Sequence, residues 1–292
     1  MHVYPPELLM THPQESPARL LEQALAERFG GGLRADPALP GLDELARMAL
    51  HRTHRRYSGR AIDPELLRLL FACALSAPSK SDLQQADIVH VTDRAKVRAI
   101  AESIPDMPWI ADAPVFLLFL ANHRRLRLVS EWRGKTFAND HLDHFLNSAV
   151  DAAIVMTTFI HAAEAVGLGV CPVSHVRNHS HELSRMLELP DWVFPVAGLC
   201  VGYPAAPGMI SPRLPLEVTV HVDRYDETGL REKIDGYDQR RHATQPYRKQ
   251  RQPERHGSAE FYGWSEDKAR QYSVTERADF GAFIRSKRFN LS

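Results

Sequence analysis

The sequence predicts an α+β fold built around a central sheet, and three observations lead to this prediction. Short apolar runs of strand length alternate with longer segments of helical periodicity between residues 42 and 203. The last third of the chain is helical and irregular in pattern. The length of 292 residues, 44% of them hydrophobic, is sufficient for one large domain with extensions.

The composition is ordinary for a globular protein in water. The 36 Lys and Arg residues balance the 36 Asp and Glu residues, so the net charge does not indicate nucleic acid or an anionic membrane as a partner. Cys73, Cys171 and Cys200 are odd in number, far apart and in apolar surroundings, which argues against a disulfide framework and favours a reducing cytoplasm. The N-terminal residues show no secretory signal pattern, and no apolar run approaches the roughly 20 residues of a membrane-spanning helix.

Residues 1–40 have the pattern of an arm ahead of the main body. A Pro-rich start precedes a short amphipathic helix, predicted over 18–29, and the glycines at 30–32 mark a break because they permit almost any backbone geometry. The body begins with a helix predicted over 42–51.

A capped helix and two strands follow in the first half of the body. Asp63-Pro64-Glu65 combines a capping carboxylate, a proline at the first helical position and an acidic first turn, so a buried helix is expected from there to Ala77-Pro78. Residues 88–91 predict a strand, and residues 93–102 predict a short helix. The fully apolar run 115–120 predicts a central strand buried on both faces.

The second half of the body centres on a long helix, predicted over about 140–166. Its alanines let another helix approach closely, and it stops at Gly167-Leu168-Gly169, as a left-handed cap requires. A short extended piece is expected over 170–173. A further helix over about 180–187 and a second buried strand over 196–203 complete the body.

The end of the chain is polar and then helical. Residues 231–256 are rich in Arg and Lys, and two interpretations stay open for them: a solvated linker, or a clamp for an anionic cofactor. Helices are expected near 265–272 and 276–287. An extension of this length must pack somewhere, and a partner subunit is one surface for it.

The most informative segment is His51-Arg52-Thr53-His54-Arg55. Two arginines three apart, with a hydroxyl and a histidine between them, form a cluster of hydrogen-bond donors. Guanidinium groups match phosphate oxygens in geometry, and hydroxyl and backbone N–H groups bond the remaining lone pairs. Taken alone, the cluster is equally consistent with a basic helix end in water, so the segments downstream decide its meaning.

Four segments in order resemble the FMN-dependent nitroreductases and flavin reductases. Residues 51–55 resemble their H/R-R-S-x-R signature, and residues 76–84 (SAPSKSDLQ) resemble their A-P-S-S-x-N-x-Q turn. Residues 163–169 (AEAVGLG) resemble the A-A-E-x-L-G-L-G end of their long helix. Residues 198–204 (GLCVGYP) and 212–215 (PRLP) resemble G-L-C-x-G-x-P and K-P-R-L-P, so the likeness is nearest to the oxygen-insensitive NADPH nitroreductases of type A.

The resemblance implies a nitroreductase-like fold, with a central, mostly antiparallel sheet flanked by helices, and an interlocked homodimer with FMN at the subunit interface. It divides the chain into the arm (1–40), an FMN-binding core (41–225) and a C-terminal extension (226–292) that packs on the core or on the partner subunit. It also implies ping-pong chemistry, in which NADPH or NADH gives a hydride to bound FMN and leaves, and a nitroaromatic, quinone or flavin acceptor takes the electrons. The chain has no G-x-G-x-x-G after a strand, which agrees with a nicotinamide nucleotide that binds transiently rather than in a dedicated dinucleotide site. No catalytic acid or base is expected.

The resemblance also assigns residues to the flavin site. Arg52 and Arg55 are expected to hold the FMN phosphate, the ribityl chain and the pyrimidine edge, together with His51, His54 and Thr53, which replaces the usual serine and keeps a hydroxyl. Ser79 is expected to hydrogen-bond the flavin, and Arg213 to bind its phosphate. The backbone of Pro172-Val173-Ser174-His175 is expected to pass beside the isoalloxazine ring.

Several positions of the site depart from the family pattern. Lys80 and Asp82 stand where small or amide residues are usual. Residues 172–175 replace an aromatic residue and two glycines, Ser211 replaces a lysine that would add a cation for the phosphate, and Met107 falls where the type A group has a glutamine. Met107 and Ser211 are nevertheless expected among the cofactor-binding residues. The departures affect the expected identity of the substrate more than the expected binding of FMN.

Two other classes of function stay open beside the flavin reductase. A protein of the same fold that binds FMN without turning over NAD(P)H, as a storage module or a dehalogenase-like enzyme, would fit the altered segment 172–175. A structural or nucleic-acid role has little support, because the basic stretch lacks interleaved aromatic residues and the net charge is +0.

Four minor expectations concern metal, cysteine, tryptophan and loop positions. The 15 histidines include no H-E-x-x-H motif and no Cys/His set of zinc spacing, so no metal is expected. Cys171 and Cys200 are expected in the core rather than as nucleophiles. Trp109 and Trp132 are also expected in the core, and residues 124–139 are expected to form an irregular loop.

Overall fold

The computed structural model describes residues 15–292, which form two compact units. We call residues 53–208 with 277–292 the sheet unit, and residues 15–52 with 209–276 the helical unit. The Pro-rich start of the predicted arm lies outside the described residues. The division of the chain at residues 40 and 225 stays a prediction.

An antiparallel sheet forms the centre of the sheet unit. Its strands lie in the order β1-β2-β4-β3, and each neighbouring pair is antiparallel. All residues of β2 are buried, because apolar side chains cover both faces of the sheet, and this confirms the central strand predicted from the run 115–120. The strands are β1 (Ala86–Val91), β2 (Val115–Asn122), β3 (Gly169–Val173) and β4 (Val193–Gly202).

Helices cover the sheet and build the helical unit. Of these helices, α3 to α8 and α13 belong to the sheet unit and the others to the helical unit. In chain order they are α1 (Pro17–Phe29), α2 (Leu42–Ala49), α3 (Pro64–Leu75), α4 (Arg94–Ser103), α5 (Trp109–Asp112), α6 (Arg124–Trp132), α7 (Leu142–Ala165), α8 (Ser180–Met186), α9 (Leu216–Thr219), α10 (Leu230–Thr244), α11 (Pro253–His256), α12 (Trp264–Tyr272) and α13 (Phe280–Ser286).

The long helix α7 packs against the sheet together with α3. Phe159, Ala152 and Ala163 of α7 lie in one core with Leu117 and Phe119 of β2. The helix ends at Ala165, and its capping residue Val166 is followed by the left-handed Gly167 (φ +79), as predicted.

Helix α7 is long and apolar enough, by length and mean composition alone, to cross a membrane, although Asp143, Asp151 and His161 interrupt its apolar run. Its buried stripe faces the sheet, and the polar side chains of Asp151 and His144 are buried within it. These contacts are those of the core helix of a globular unit, and they give no indication of a membrane.

The other face of the sheet holds two of the three cysteines. Cys171 and Cys200 are opposite each other on β3 and β4 and are buried in one cluster with Phe116 and Leu118, which confirms that they are core residues. All three cysteines are free, and Cys73 is exposed, contrary to its apolar sequence surroundings.

The C-terminal segment 277–292 returns to the sheet unit. Phe283, Ile284 and Phe289 pack against Ala121 and Phe194, at one end of the strands β2 and β4. The backbone N–H of Trp192 donates to the carbonyl of Lys287 (2.9 Å), and that of Leu142 donates to the carbonyl of Ser292 (3.1 Å). The segment is therefore an integral part of the sheet unit.

The structure bears on three surface features of the sequence analysis. Of the two interpretations left open for 231–256, the solvated linker is wrong for the first half, which lies within α10 and includes the buried Tyr237 and Asp238. The predicted loop 124–139 begins with helix α6. Trp132 is 71% exposed rather than in the core, whereas Trp109 is partly buried and packs against the Cys171 cluster.

Candidate functional site

The part of the motif that belongs to the sheet unit lies along the edge of the sheet. Thr53 forms a parallel bridge with Val170 of β3, and the N–H of His54 donates to the carbonyl of Val170 (2.9 Å). The Tyr57 hydroxyl donates back to the carbonyl of His54 (2.7 Å), and burial raises the pKa of this phenol. Backbone pairing therefore fixes Thr53 and His54 beside the strand that leads to Pro172.

Two glycines of the downstream motifs make this pairing possible. A Cβ on Gly169 would lie 2.8 Å from the His54 side chain, and a Cβ on Gly202 would lie 2.7 Å from the Tyr57 ring. Real Cβ atoms do not approach other atoms so closely, so larger residues would push the motif away from the sheet. The glycines that carry the family resemblance thus allow the motif to pack closely.

Arg55 is held over an aromatic ring. Its guanidinium carbon lies 5.3 Å from the centre of the Trp109 ring, within the range of a cation–π contact. Burial raises the pKa of the adjacent Cys171 thiol, while the Arg55 charge opposes this change. Met107 is partly buried and packs against the same core cluster as Trp109.

The segment 172–175 leaves the end of β3 and enters a short 3-10 turn. Val173 is fully buried, Pro172 and Ser174 are exposed, and His175 is partly buried. Pro172 has no N–H, so only the three residues after it can offer backbone donors. The Val173 side chain is committed to the core, which leaves the backbone and the side chains of Ser174 and His175 to face a ligand.

Ser79 lies in the turn between α3 and β1, and its hydroxyl is already engaged. It donates to Asp151 Oδ2 (2.8 Å) and accepts from the N–H of Gln84 (2.8 Å). A hydroxyl has one proton, so towards a ligand Ser79 can only accept a hydrogen bond in this arrangement.

In the helical unit, the buried Arg28 joins two candidate segments. Its Nε donates to the carbonyl of Ala49 (2.7 Å), its Nη2 to that of His51 (2.5 Å) and its Nη1 to that of Ser211 (3.2 Å). The N–H of Arg213 donates to the carbonyl of Arg28 (2.7 Å). His51 and the segment 211–213 are thus brought together around one guanidinium.

Arg240 of α10 strengthens the same arrangement. Its Nη1 donates to the carbonyl of Arg28 (3.0 Å), and its Nη2 donates to the carbonyl of Arg213 (2.6 Å). The Arg213 side chain is exposed, and its Nη1 donates a long hydrogen bond to the carbonyl of Pro212 (3.4 Å). The backbone of Arg213 is therefore fixed while its guanidinium faces outward.

Arg52 carries an unsatisfied donor. Its Nε is buried and has no hydrogen-bond partner within residues 15–292. Buried donors in native proteins are nearly always paired, and such an exception commonly marks a missing ligand or water. The site therefore fits an acceptor-rich, anionic ligand.

The basic segment near the end of the helical unit is held by a buried ionic network. Arg251 Nε lies 3.2 Å from Asp267 Oδ1, and Arg270 Nη1 donates to the carbonyls of Arg251 and Gly257. Burial would raise the pKa of Asp267, but bonds from Lys268 and Tyr262 and the charge of Arg251 lower it. Arg251 is itself 46% exposed but is tied to the buried Asp267. Other cations of the segment are also exposed, among them Arg248, Lys249 and Arg255.

Sequence reasoning missed Arg28, Asp151 and Arg240, which organise the segments it identified. One signal was available for Asp151, because it is the only acidic or basic residue, histidine aside, between Asp143 and Glu164. No group of three or more His, Cys, Asp or Glu side chains that could hold a metal occurs in the part of the chain that the structure describes.

Comparisons with known proteins give a consistent result. The model described as "Nitroreductase family" matches residues 49–203, and the one described as "Nitroreductase family, C-terminal domain" matches residues 211–292. The two matches together contain all the candidate residues.

Individual relatives agree with the family match. A Bacillus subtilis protein named FMN reductase (NAD(P)H) is 38% identical over 192 residues, 65% of this chain and 77% of that protein. The oxygen-insensitive NADPH nitroreductase of Salmonella typhimurium is 31% identical over 175 residues, 60% of this chain and 71% of that protein. The solved structure of B. megaterium NfrA2 has a TM-score of 0.77 and 29% identity, with 86% of this chain and 99% of that chain covered, which confirms the predicted fold.

Proposed function

Because this chain belongs to the nitroreductase family and is an FMN-dependent NAD(P)H oxidoreductase, we propose that it works in two half-reactions and reduces a nitroaromatic, a quinone or a free flavin. FMN, when bound, supplies a ring that accepts a hydride and returns the electrons. NADPH or NADH leaves before the acceptor enters, so the nucleotide and the acceptor use the same binding surface in turn. The acceptor is a small molecule.

The unpartnered Nε of Arg52 carries the assignment of the site. An FMN phosphate has only acceptors, so it matches a buried donor whose own segment is held by Arg28. On this proposal Arg52 binds the phosphate end of the cofactor with His51, Ser211 and Arg213. Ser211 contributes a hydroxyl where the family's lysine would contribute a charge.

In the sheet unit, the proposed contacts come from the motif and from two loops. Thr53, His54 and Arg55 would bind the ribityl chain and the pyrimidine edge, with Arg55 held in place by the Trp109 ring. Met107 would make an apolar contact, and Pro172-Val173-Ser174-His175 would pass beside the ring. Ser79 would accept a hydrogen bond, because its proton is donated to Asp151.

The proposed assembly is a homodimer. Leu142, Leu146 and Val150 are 50%, 54% and 46% exposed and follow one another at four-residue spacing on α7. Leu69 and Leu75 on the neighbouring α3 are also more than half exposed. Exposed apolar side chains on two neighbouring helices support burial against a second copy of the chain. We place the protein in the cytoplasm, where its three free cysteines would stay reduced.

The visible absorption of the purified protein tests the proposal. After addition of FMN and removal of oxygen, NADPH or NADH should bleach the flavin spectrum, and a nitroaromatic or quinone should restore it. Protein that bound no FMN would refute the site. A flavin spectrum that neither nucleotide bleached would refute the two half-reactions and support an FMN-binding protein without NAD(P)H turnover.

A further inference from the structure

The turn between α3 and β1 has an unusual backbone. Ser81, Asp82 and Gln84 have φ angles of 49°, 57° and 50°, in the left-handed region that L-residues rarely adopt. Three such residues within four positions persist only where the surroundings hold them in place. The turn must therefore be fixed by contacts outside itself.

One buried carboxylate provides the inner contacts. Asp151 of α7 accepts from the Ser79 hydroxyl (2.8 Å), from the N–H of Lys80 (3.1 Å) and from Gln85 Nε2 (3.3 Å). Because Ser79 also accepts from the N–H of Gln84, both ends of the strained stretch depend on Asp151.

The carboxylate of Asp151 lies where it would destabilise the fold unless hydrogen-bond donors surrounded it. Its side chain is 2% exposed, on a helix whose neighbouring buried residues are mostly apolar. A buried carboxylate destabilises a fold unless donors surround it. All three of its contacts are donors from the turn or its end, so the carboxylate and the turn are matched to each other.

The turn forms one wall of a groove in the sheet unit. The groove has a volume of about 760 Å³, within the range of cofactor and ligand sites. It lies between α3, β1 and α7 and is lined by residues that include Ser79, Gln84, His90, Arg125 and Asp151. A change in the turn therefore changes the shape of a ligand-sized surface.

We infer that Asp151 is a positioning residue for the flavin site: it fixes the turn 79–85 and sets Ser79 as an acceptor towards the ligand. This inference rests on the proposed function. Asp151 does not touch the reacting atoms, and it acts through the turn. When the turn loosens, the atoms that it offers to FMN lose their arrangement, and the affinity for FMN falls.

Asp151→Asn tests the inference because the amide has the same size but replaces one of the two acceptor oxygens with an NH2 group, which cannot accept from the donors of the turn. Titration of the apoprotein with FMN, followed by flavin fluorescence, should show Kd raised about tenfold or more. Limited trypsin digestion without FMN should cleave faster after Lys80, which is exposed in the turn. Asp143→Asn is the matched control, because Asp143 is an exposed carboxylate on the same helix.

The outcomes separate the inference from the proposed function. Wild-type protein that bound no FMN would refute the proposed function itself and remove the basis of the inference. Wild-type protein that bound FMN, with Asp151→Asn binding it equally well, would overturn the inference alone. Weaker FMN binding with cleavage at Lys80 unchanged would also overturn it, since the effect would not pass through the turn. If the amide variant fails to fold, Asp151→Ser, which places no amide beside Lys80 N–H, replaces it with the same expectations.

Discussion

Replacement of Arg28 by methionine removes the group that joins two candidate segments of the flavin site. Arg28 is 6% exposed and donates to the carbonyls of Ala49, His51 and Ser211. Methionine keeps the length and apolar stem of the side chain but offers no donor. In the variant, these three carbonyl oxygens lose the hydrogen bonds from the guanidinium, at the place where His51 and the segment 211–213 meet.

The magnitude follows from these bonds. A hydrogen bond to a charged group contributes roughly 1.5–3 kcal/mol, so three bonds set an upper range of about 5–9 kcal/mol. Loss of the buried cation also removes the cost of keeping its charge away from water, which offsets part of that range. We expect a net loss of about 3–5 kcal/mol in the free energy of unfolding of the helical unit.

Two measurements check this expectation. Urea unfolding gives the loss of stability, and FMN titration should show weaker binding, because His51 and Ser211 no longer share an anchor. Arg19→Met is the matched control, since Arg19 lies on the same helix with its side chain 67% exposed. Unchanged urea midpoint and unchanged FMN affinity for Arg28→Met would refute the role given to this residue.

Three further changes test other parts of the protein. Arg52→Ala should weaken FMN binding by roughly 1.5–3 kcal/mol, about 10- to 150-fold in Kd, and an unchanged flavin content after purification would contradict the assignment. Burial, together with the neighbouring His144, lowers the pKa of His123 from 6.5 to about 3, and burial also lowers that of His144. Below pH 6.5 the unfolded chain therefore binds protons that the folded chain does not. The free energy of unfolding should be at its full value above pH 6.5 and should fall towards pH 3. Urea unfolding at several pH values should show a weaker dependence of this free energy on pH for His123→Phe. Arg248→Ala should reduce the preference for NADPH over NADH, because the exposed Arg248 can contact the 2′-phosphate that only NADPH carries, whereas Arg251 is tied in an ion pair. An unchanged ratio of the two kcat/KM values would count against this contact.

Local patterns were sufficient to predict most elements of the fold. The run 115–120 identified β2, the Asp63 cap identified the start of α3, and Gly167 identified the end of α7. These features depend on periodicity and capping within a few residues, which a single sequence displays. Helix ends differed by a few residues, as is common where end turns fray or tighten.

The contacts that organise the site lie beyond such local patterns. Arg28 and Ser211 are 183 residues apart in the chain, and Ser79 and Asp151 are 72 apart. Helix α10 is polar around most of its surface, so no apolar stripe marked it as a helix. Only tertiary structure reveals these partners. The roles of His51 to Arg55 and of the other site residues stay predictions until flavin binding is measured.

The return of residues 277–292 to the sheet unit has a consequence for synthesis on the ribosome. Residues 209–276 of the helical unit must be translated before Phe283, Ile284 and Phe289 can cover Phe194 and the end of the strands. At about 5–20 residues per second, that delay is roughly 3–14 seconds. During that time the nascent sheet unit presents an apolar surface that its own chain cannot yet close. Chaperone demand and aggregation during expression should therefore depend on translation speed through residues 209–276.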